Sequence, residues 1–214
     1  MLEEPTRVIL IRHGETAWNR ATRIQGHTDI PLSPLGLAQA QRLAEALADE
    51  SLAAVYASDL SRARQTAEAL AAGRGMPVHL DAGLRERAFG RFEGLSWEEI
   101  AQRFPDDSVR WRRREPHFEV GGGESLHAFS ARCVSAARRV VAAHPGQAIA
   151  LVAHGGVLDC LYRAATRTAL DAPRSWQLGN ATINRVLATS EGFTLVGWND
   201  DRHLAGLAAD DVAA

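Results

Sequence analysis

Two histidine–glycine steps carry the chemistry this chain could do. Arg12-His13-Gly14-Glu15-Thr16 follows the apolar run Val8-Ile9-Leu10-Ile11, and His154-Gly155-Gly156 follows Ala148-Ile149-Ala150-Leu151-Val152-Ala153. Each run is short, continuous and rich in branched residues, so each reads as a buried strand. The carboxyl ends of such strands are where open α/β sheets form their ligand crevice. A guanidinium there grips a phosphate or carboxylate, and an imidazole serves as nucleophile, base or metal ligand. Alone, Arg12-His13-Gly14 is a weak signal; its weight depends on partners elsewhere in the chain.

Parallel neighbouring strands would bring His13 and His154 together at one sheet edge. The glycine after each histidine lets the backbone turn tightly and leaves N–H groups free to meet an anion. Ser58-Asp59-Leu60-Ser61-Arg62-Ala63 hands a strand over to a helix, which puts Arg62 in a first helical turn at the positive end of the helix dipole. Two arginines, two histidines and a helix N-terminus form an anion pocket suited to a phosphoryl group. The chemistry this supports is metal-independent phosphoryl transfer. Arg12 and Arg62 would hold the non-bridging oxygens, one neutral imidazole would attack phosphorus in line, and the other, cationic, would stabilise the equatorial oxygens. A leaving alkoxide needs a proton, and the candidate donor is Glu86 in Leu84-Arg85-Glu86; for that role its pKa would have to be raised by the anionic ligand and partial burial.

Strands and helices alternate around these residues. Ser33-Pro34 supplies a cap and first-turn pair for a helix over Leu35 to Glu50, and a polar loop is expected before it. Ala53 to Ala57 reads as a strand. Asp59 to Ala72 reads as a helix with Leu60, Ala63, Ala67 and Leu70 on one face, and Ser58 reads as its N-cap. Val78 to Leu80 is a third strand, and residues 96–104 and 106–114 read as short helices bearing Trp97 and Trp111. After the break at Gly121-Gly122-Gly123 come a long amphipathic helix over Ser125 to Ala143, the central strand, and a helix over 157–165. Thr182 to Leu187 and Phe193 to Trp198 read as a hairpin turning at Ser190-Glu191-Gly192, and the last dozen residues read as loose. The alternation implies a mainly parallel sheet covered on both faces.

The bulk numbers set bounds on partners. A length of 214 residues suits one α/β domain over 1–214, and 46% hydrophobic with 23% charged residues is ordinary for a globular protein. A net charge of −2 calls for neither nucleic acid nor a membrane surface. The acidic start lacks the pattern of a signal peptide, and no apolar run approaches a membrane span, so the cytoplasm is the expected location. Cys133 and Cys160 lie in apolar-patterned segments without a CxxC and read as reduced core thiols. His27, His79, His117, His127, His144 and His203 lack metal-ligand spacing, so no catalytic metal is expected.

Arg12-His13-Gly14-Glu15-Thr16-x-Trp18-Asn19, Gln25-Gly26, Leu32-Ser33-x-x-Gly36, Ser58-Asp59-Leu60-x-Arg62-Ala63-x-x-Thr66-Ala67, Leu84-Arg85-Glu86, Gly123-Glu124-Ser125 and His154-Gly155-Gly156 occur in this order. Together they resemble the histidine phosphatase superfamily, in the branch of cofactor-dependent phosphoglycerate mutases and related phosphatases, over roughly residues 7 to 199. The resemblance implies a three-layer α/β/α fold with a mainly parallel mixed sheet. It implies that His13 is the phosphorylated nucleophile, that Arg12, Arg62 and His154 complete the phosphate pocket, and that Glu86 is the proton donor. Asn19 and the Gly155 N–H would contact the phosphoryl oxygens, and Gln25-Gly26 would face the substrate. No cofactor is implied; the partner is a small phosphorylated metabolite, and a homodimer is a family expectation.

Mutases of this family carry a longer insert after the proton donor and typically read His-Gly-Asn at the second histidine. The compact stretch Arg87 to Gly121 and His154-Gly155-Gly156 favour a phosphatase, with phosphoglycerate mutase as the alternative and a non-catalytic phosphoester-binding protein as a second one. Arg110-Trp111-Arg112-Arg113-Arg114 reads as a solvated helix face with Trp111 packed inward, or as the source of one arginine, Arg113 or Arg114, that meets a second anionic group. His27 is a candidate substrate contact. Glu15, next to Arg12 and His13, reads as an orienting partner of the two.

Overall fold

The structure is a computed structural model, described over residues 4–207. Among the described residues, seven α-helices and six strands follow the hydrophobic periods: β1 (Thr6–Arg12), α1 (Ala17–Arg20), α2 (Pro34–Ala46), β2 (Ala54–Ala57), α3 (Ser61–Ala72), β3 (Val78–Leu80), α4 (Trp97–Arg103), α5 (Pro105–Arg112), α6 (Leu126–Ala142), β4 (Ala148–Ala153), α7 (Gly155–Thr166), β5 (Ile183–Thr189) and β6 (Gly192–Asp200). All six strands form one sheet in the order β3-β2-β4-β1-β5-β6. β3, β2, β4 and β1 run parallel, and β5 and β6 are added antiparallel, so the sheet is mixed and mainly parallel.

Period-two alternation sorts the strand side chains to two cores. Val8 and Leu10 of β1, with Ile149 and Leu151 of β4, pack under Phe129, Val140, Leu158 and Leu161 of α6 and α7. Ile9 and Ile11, with Ala150 and Val152, pack on the other face under Leu43, Ala63, Ala67 and Leu70 of α2 and α3. Each fully buried Leu, Ile or Phe adds about 1.5–3 kcal/mol to the drive for this layering. β4 is buried at every position, which is why it reads as an unbroken apolar run rather than an alternating one. Cys133 and Cys160 are free, buried thiols in the α6/α7 core, and burial raises the Cys133 thiol above its ordinary pKa. A third cluster, Phe92, Ile100, Phe118 and Val120 with Phe89 and Trp111 packed on it, forms a cap beside the carboxyl ends of the strands.

Several local expectations change. Within the polar stretch before α2, Thr16 and Asn19 form a capping box that nucleates the single turn of α1. Ser33 caps α2 as its sequence suggests, its hydroxyl accepting from Gly36 N. Ser58 is not the cap of α3. That position falls to Leu60, and the Ser58 hydroxyl accepts from Leu60 N at 3.3 Å inside the loop. The long C-terminal strands reach further than their apolar patterns, to Thr189 and Asp200. Of the last dozen residues, 203–207 are described and Arg202–Leu204 forms a single 3-10 turn; residues 208–214 lie outside the described ones. Among the described residues no helix is long and apolar enough to cross a membrane.

Candidate active site

The register of β1 on β4 places the site. Arg12 pairs with Ala153, so His13 and His154 leave the sheet side by side, and His13 N donates to Ala153 O at 3.0 Å. Their rings lie 5.2 Å apart, both buried. The Nδ1 of His13 is 2.7 Å from the carbonyl of Gly14. A carbonyl only accepts, so Nδ1 carries the proton and the Nε2 lone pair is free to attack. Gly14 is required there because a Cβ would sit 2.5 Å from Gly36 O, and its own N–H donates to the Thr66 hydroxyl at 3.1 Å.

The two arginines converge on the same point. Arg62, in the first turn of α3, donates from Nη1 to Thr28 O and from Nη2 to Gly26 O, which leaves Nε buried without a protein partner. Arg12 donates from Nη1 to Leu178 O at 2.7 Å, and its Nε is likewise buried and unpaired. Both ring nitrogens of His154 and Oε1 of Gln25 share that condition. Buried polar groups are rarely left this way, and a cluster of them marks a ligand site. Apart from His154, the residues that bear them line a cavity of about 170 Å³, with His13, Asn19, Gly26, Glu86 and Gly155 beside them and Arg23, Ile24 and Phe89 at its wall. His154 does not line it; it lies behind, packed against His13.

Asn19 commits Oδ1 to Thr16 N and its hydroxyl, so its remaining polar group, the Nδ2 amine, is available to donate to an anion. Gly155 opens α7 directly after His154, two residues earlier than the apolar pattern begins, and its N–H is one of the helix's unpaired first amides. Gly26 has φ +58°, and its loop is held by Glu93, whose carboxylate accepts from His27 N, Thr28 N and the Thr28 hydroxyl.

Glu86 faces this group from the loop after β3. Its Oε1 accepts from Arg87 N at 2.8 Å and its Oε2 from Gly156 N at 3.0 Å. Three elements hold that loop. Arg132 of α6 donates to the carbonyls of Gly83, Arg85 and Glu86 while its Nε and Nη2 grip both oxygens of Glu124. Arg85 forms a two-point ion pair with Asp59, and His27 Nε2 donates to Glu86 O at 2.8 Å. His27 is thus a brace beside the carboxylate, and it does not line the cavity.

Burial sets the electrostatics first, and the arginines reinforce it. Desolvation, then Arg62 and Arg12, hold His13 well below the ordinary histidine pKa, so its ring is a neutral nucleophile at pH 7. The same causes, with His13 added, hold His154 well below it too. Among these positive neighbours the cationic form expected of His154 is disfavoured unless the charge of the phosphoryl group itself offsets them. Arg12 is lowered to about 10, chiefly by burial, and stays charged.

Other expectations are also revised. Glu15 orients neither Arg12 nor His13; its carboxylate accepts from the Ser33 hydroxyl and Arg20. In the basic cluster, Trp111 packs on Phe89, Phe92 and Trp97 as expected, Arg110 pairs with Glu115, and Arg114 alone turns inward, to Asp159 and Leu170 O. Sequence reasoning missed Asn180, whose Nδ2 donates to His13 O at 2.9 Å and approaches Gly14 O at 3.3 Å. It also missed Arg132 and Glu93. All three act through long-range contacts to backbone, which leave no local pattern.

Comparisons with known proteins give the family and the fold. The family described as "Histidine phosphatase superfamily (branch 1)" matches residues 8–201. Phosphoglycerate mutase-like protein 4 of Arabidopsis thaliana is 37% identical over 201 residues, 92% of this chain and 86% of that protein. The metal-independent phosphoserine phosphatase of the same plant is 36% identical, covering 95% of this chain and 85% of that one. The solved structure of Bacillus stearothermophilus YhfR superposes with a TM-score of 0.87 at 33% identity, over 93% of this chain and 99% of that chain. On a match of nearly its whole length, the chain belongs to branch 1 of the histidine phosphatase superfamily.

Proposed function

We propose that this protein is a metal-independent phosphomonoesterase that hydrolyses a small phosphorylated metabolite through a phosphohistidine on His13. The observation that carries the reading is the Nδ1 contact to Gly14 O, which frees Nε2 at a cavity lined by Arg12, Arg62 and Glu86. In the first step Nε2 attacks phosphorus in line, the P–O bond to the leaving group breaks, and Glu86 in its acid form gives that oxygen a proton. In the second, Glu86 takes a proton from water, the water oxygen attacks phosphorus, and the P–N bond breaks to release phosphate. Arg12, Arg62, Asn19 and the Gly155 N–H meet the equatorial oxygens, while His154, packed behind, supports the His13 ring.

The substrate and the fate of the phosphoryl group belong to this proposal. A relative named as a metal-independent phosphoserine phosphatase supports hydrolysis, and a relative named phosphoglycerate mutase-like keeps the mutase as the second reading. The reading His154-Gly155-Gly156, in place of the His-Gly-Asn typical of mutases, favours hydrolysis, and a Cβ at position 156 would press on the Glu86 carboxylate. A panel of phosphorylated metabolites, phosphoserine and phosphoglycerates included, assayed for phosphate release and for isomers with and without bisphosphoglycerate, tests it. Phosphate release without isomer formation is the expected result. Isomer formation dominating would establish the mutase, and binding without turnover would establish a phosphoester-binding protein.

A further inference from the structure

The phosphate cavity opens past Glu86, Ile24 and Phe89 into a second cavity of about 260 Å³. Because Glu86 stands at the junction, the leaving oxygen of a bound phosphomonoester lies there, and the rest of the leaving group extends into this second cavity. Part of its wall is apolar: Phe89 and Trp97, each in ring contact with Trp111, with Leu126 and Phe129. The rest is charged, with Arg87, Arg114, Arg174 and Asp159, and with Glu86 at the junction.

Two of those three guanidiniums are committed. Arg87 donates to Glu124 O and Phe118 O and lies 4.3 Å from the Trp111 ring centre. Arg114 donates to Leu170 O and pairs with Asp159 at 2.9 Å. The charge of Asp159 is offset by Arg114 and Arg163, which share its Oδ2, while its Oδ1 is buried without a partner among the described residues. Arg174 differs. It is exposed at the rim, its Nε donates to Trp176 O, and both of its terminal amine groups have no partner among the described residues. It lines the second cavity together with Arg87 and Arg114.

Resting on the phosphatase reading above, we infer that Arg174 determines specificity by binding a carboxylate on the leaving group, whose apolar body packs on Phe89, Trp97 and Trp111. One uncommitted planar guanidinium matches one planar carboxylate in a two-point pair. A second phosphate dianion would call for more uncommitted donors than the one guanidinium with both terminal groups free that the described residues place here. The expectation that Arg113 or Arg114 meets a second anion is thereby moved to a residue on the irregular stretch after α7.

The test compares kcat/KM for phenyl phosphate and 4-carboxyphenyl phosphate with the full chain, Arg174→Ala and Arg174→Lys. The wild type is expected to prefer the carboxylated ester by about tenfold, carried mainly by KM, as a charge-assisted pair supplies. In Arg174→Ala the ratio should fall to about one, and Arg174→Lys should restore part of it. Equal kcat/KM for the two esters in the wild type, or a preference that survives in Arg174→Ala, overturns the assignment while leaving the phosphatase intact. No phosphate release from either ester by the wild type overturns the phosphatase reading, and this inference with it.

Discussion

The backbone N–H of Gly156 donates to Oε2 of Glu86 at 3.0 Å, and a Cβ at position 156 would lie 2.2 Å from its Oε1. The carboxylate proposed as proton donor therefore packs directly on the first turn of the helix that follows His154. One glycine links the donor, the second histidine and the space for the leaving group. The Phe129 ring closes on the same point, 3.0 Å from that Cβ position.

Replacing this glycine should displace the donor without unfolding the protein. Gly156→Asn is expected to lower kcat/KM on phenyl phosphate by about 10²-fold, the cost of roughly an ångström of misplacement. Circular dichroism and the urea midpoint report whether the fold is kept. A variant with wild-type activity would separate Glu86 from the chemistry.

Arg132 should matter for a related reason. It donates to three carbonyls of the loop that carries Glu86, so Arg132→Met leaves that loop without its main brace. Loss of about 1–3 kcal/mol of stability and about tenfold in kcat is expected, measured by urea unfolding and steady-state kinetics.

Asn180 positions the nucleophile from behind through His13 O. Asn180→Leu keeps the size and removes the donor. A fall of about tenfold in kcat is expected with KM nearly unchanged, together with a shift in the His13 ring nitrogen resonances. A change in thermal stability alone would assign Asn180 a purely structural role.

The two buried histidines make stability depend on pH. Their pKa values lie well below 6.5 when folded, chiefly through burial, and return to the ordinary value when unfolded. The unfolded chain then binds more protons below about pH 6.5, so this stabilising contribution is full above that pH and is lost as pH falls toward the folded values. Each histidine adds a slope of about 1.4 kcal/mol per pH unit in that window. Urea midpoints from pH 7.5 down to 5 in wild type and His154→Gln check it; a slope unchanged in the variant would mean that His154 does not titrate this way.

Much of this site is written in short-range pattern, and the rest is not. The runs ending at Arg12 and Ala153 announce buried strands, and the parallel register that sets His13 beside His154 follows from them. Arg62 is legible because a strand-to-helix handover fixes its place in a first turn. Asn180, Arg132 and Arg174 sit far along the chain from what they touch, on stretches with no period of their own. Ser58 and Glu15 misled because their sequence neighbours suggested partners that the local backbone directs elsewhere.

The stereochemical course at phosphorus, followed with an isotopically chiral phosphomonoester, reaches the covalent mechanism most directly. Displacement first by Nε2 of His13 and then by water gives net retention, and an alkali-quenched sample carries the phosphoryl group on His13, absent in His13→Ala. Inversion at phosphorus with no label on His13 would contradict it.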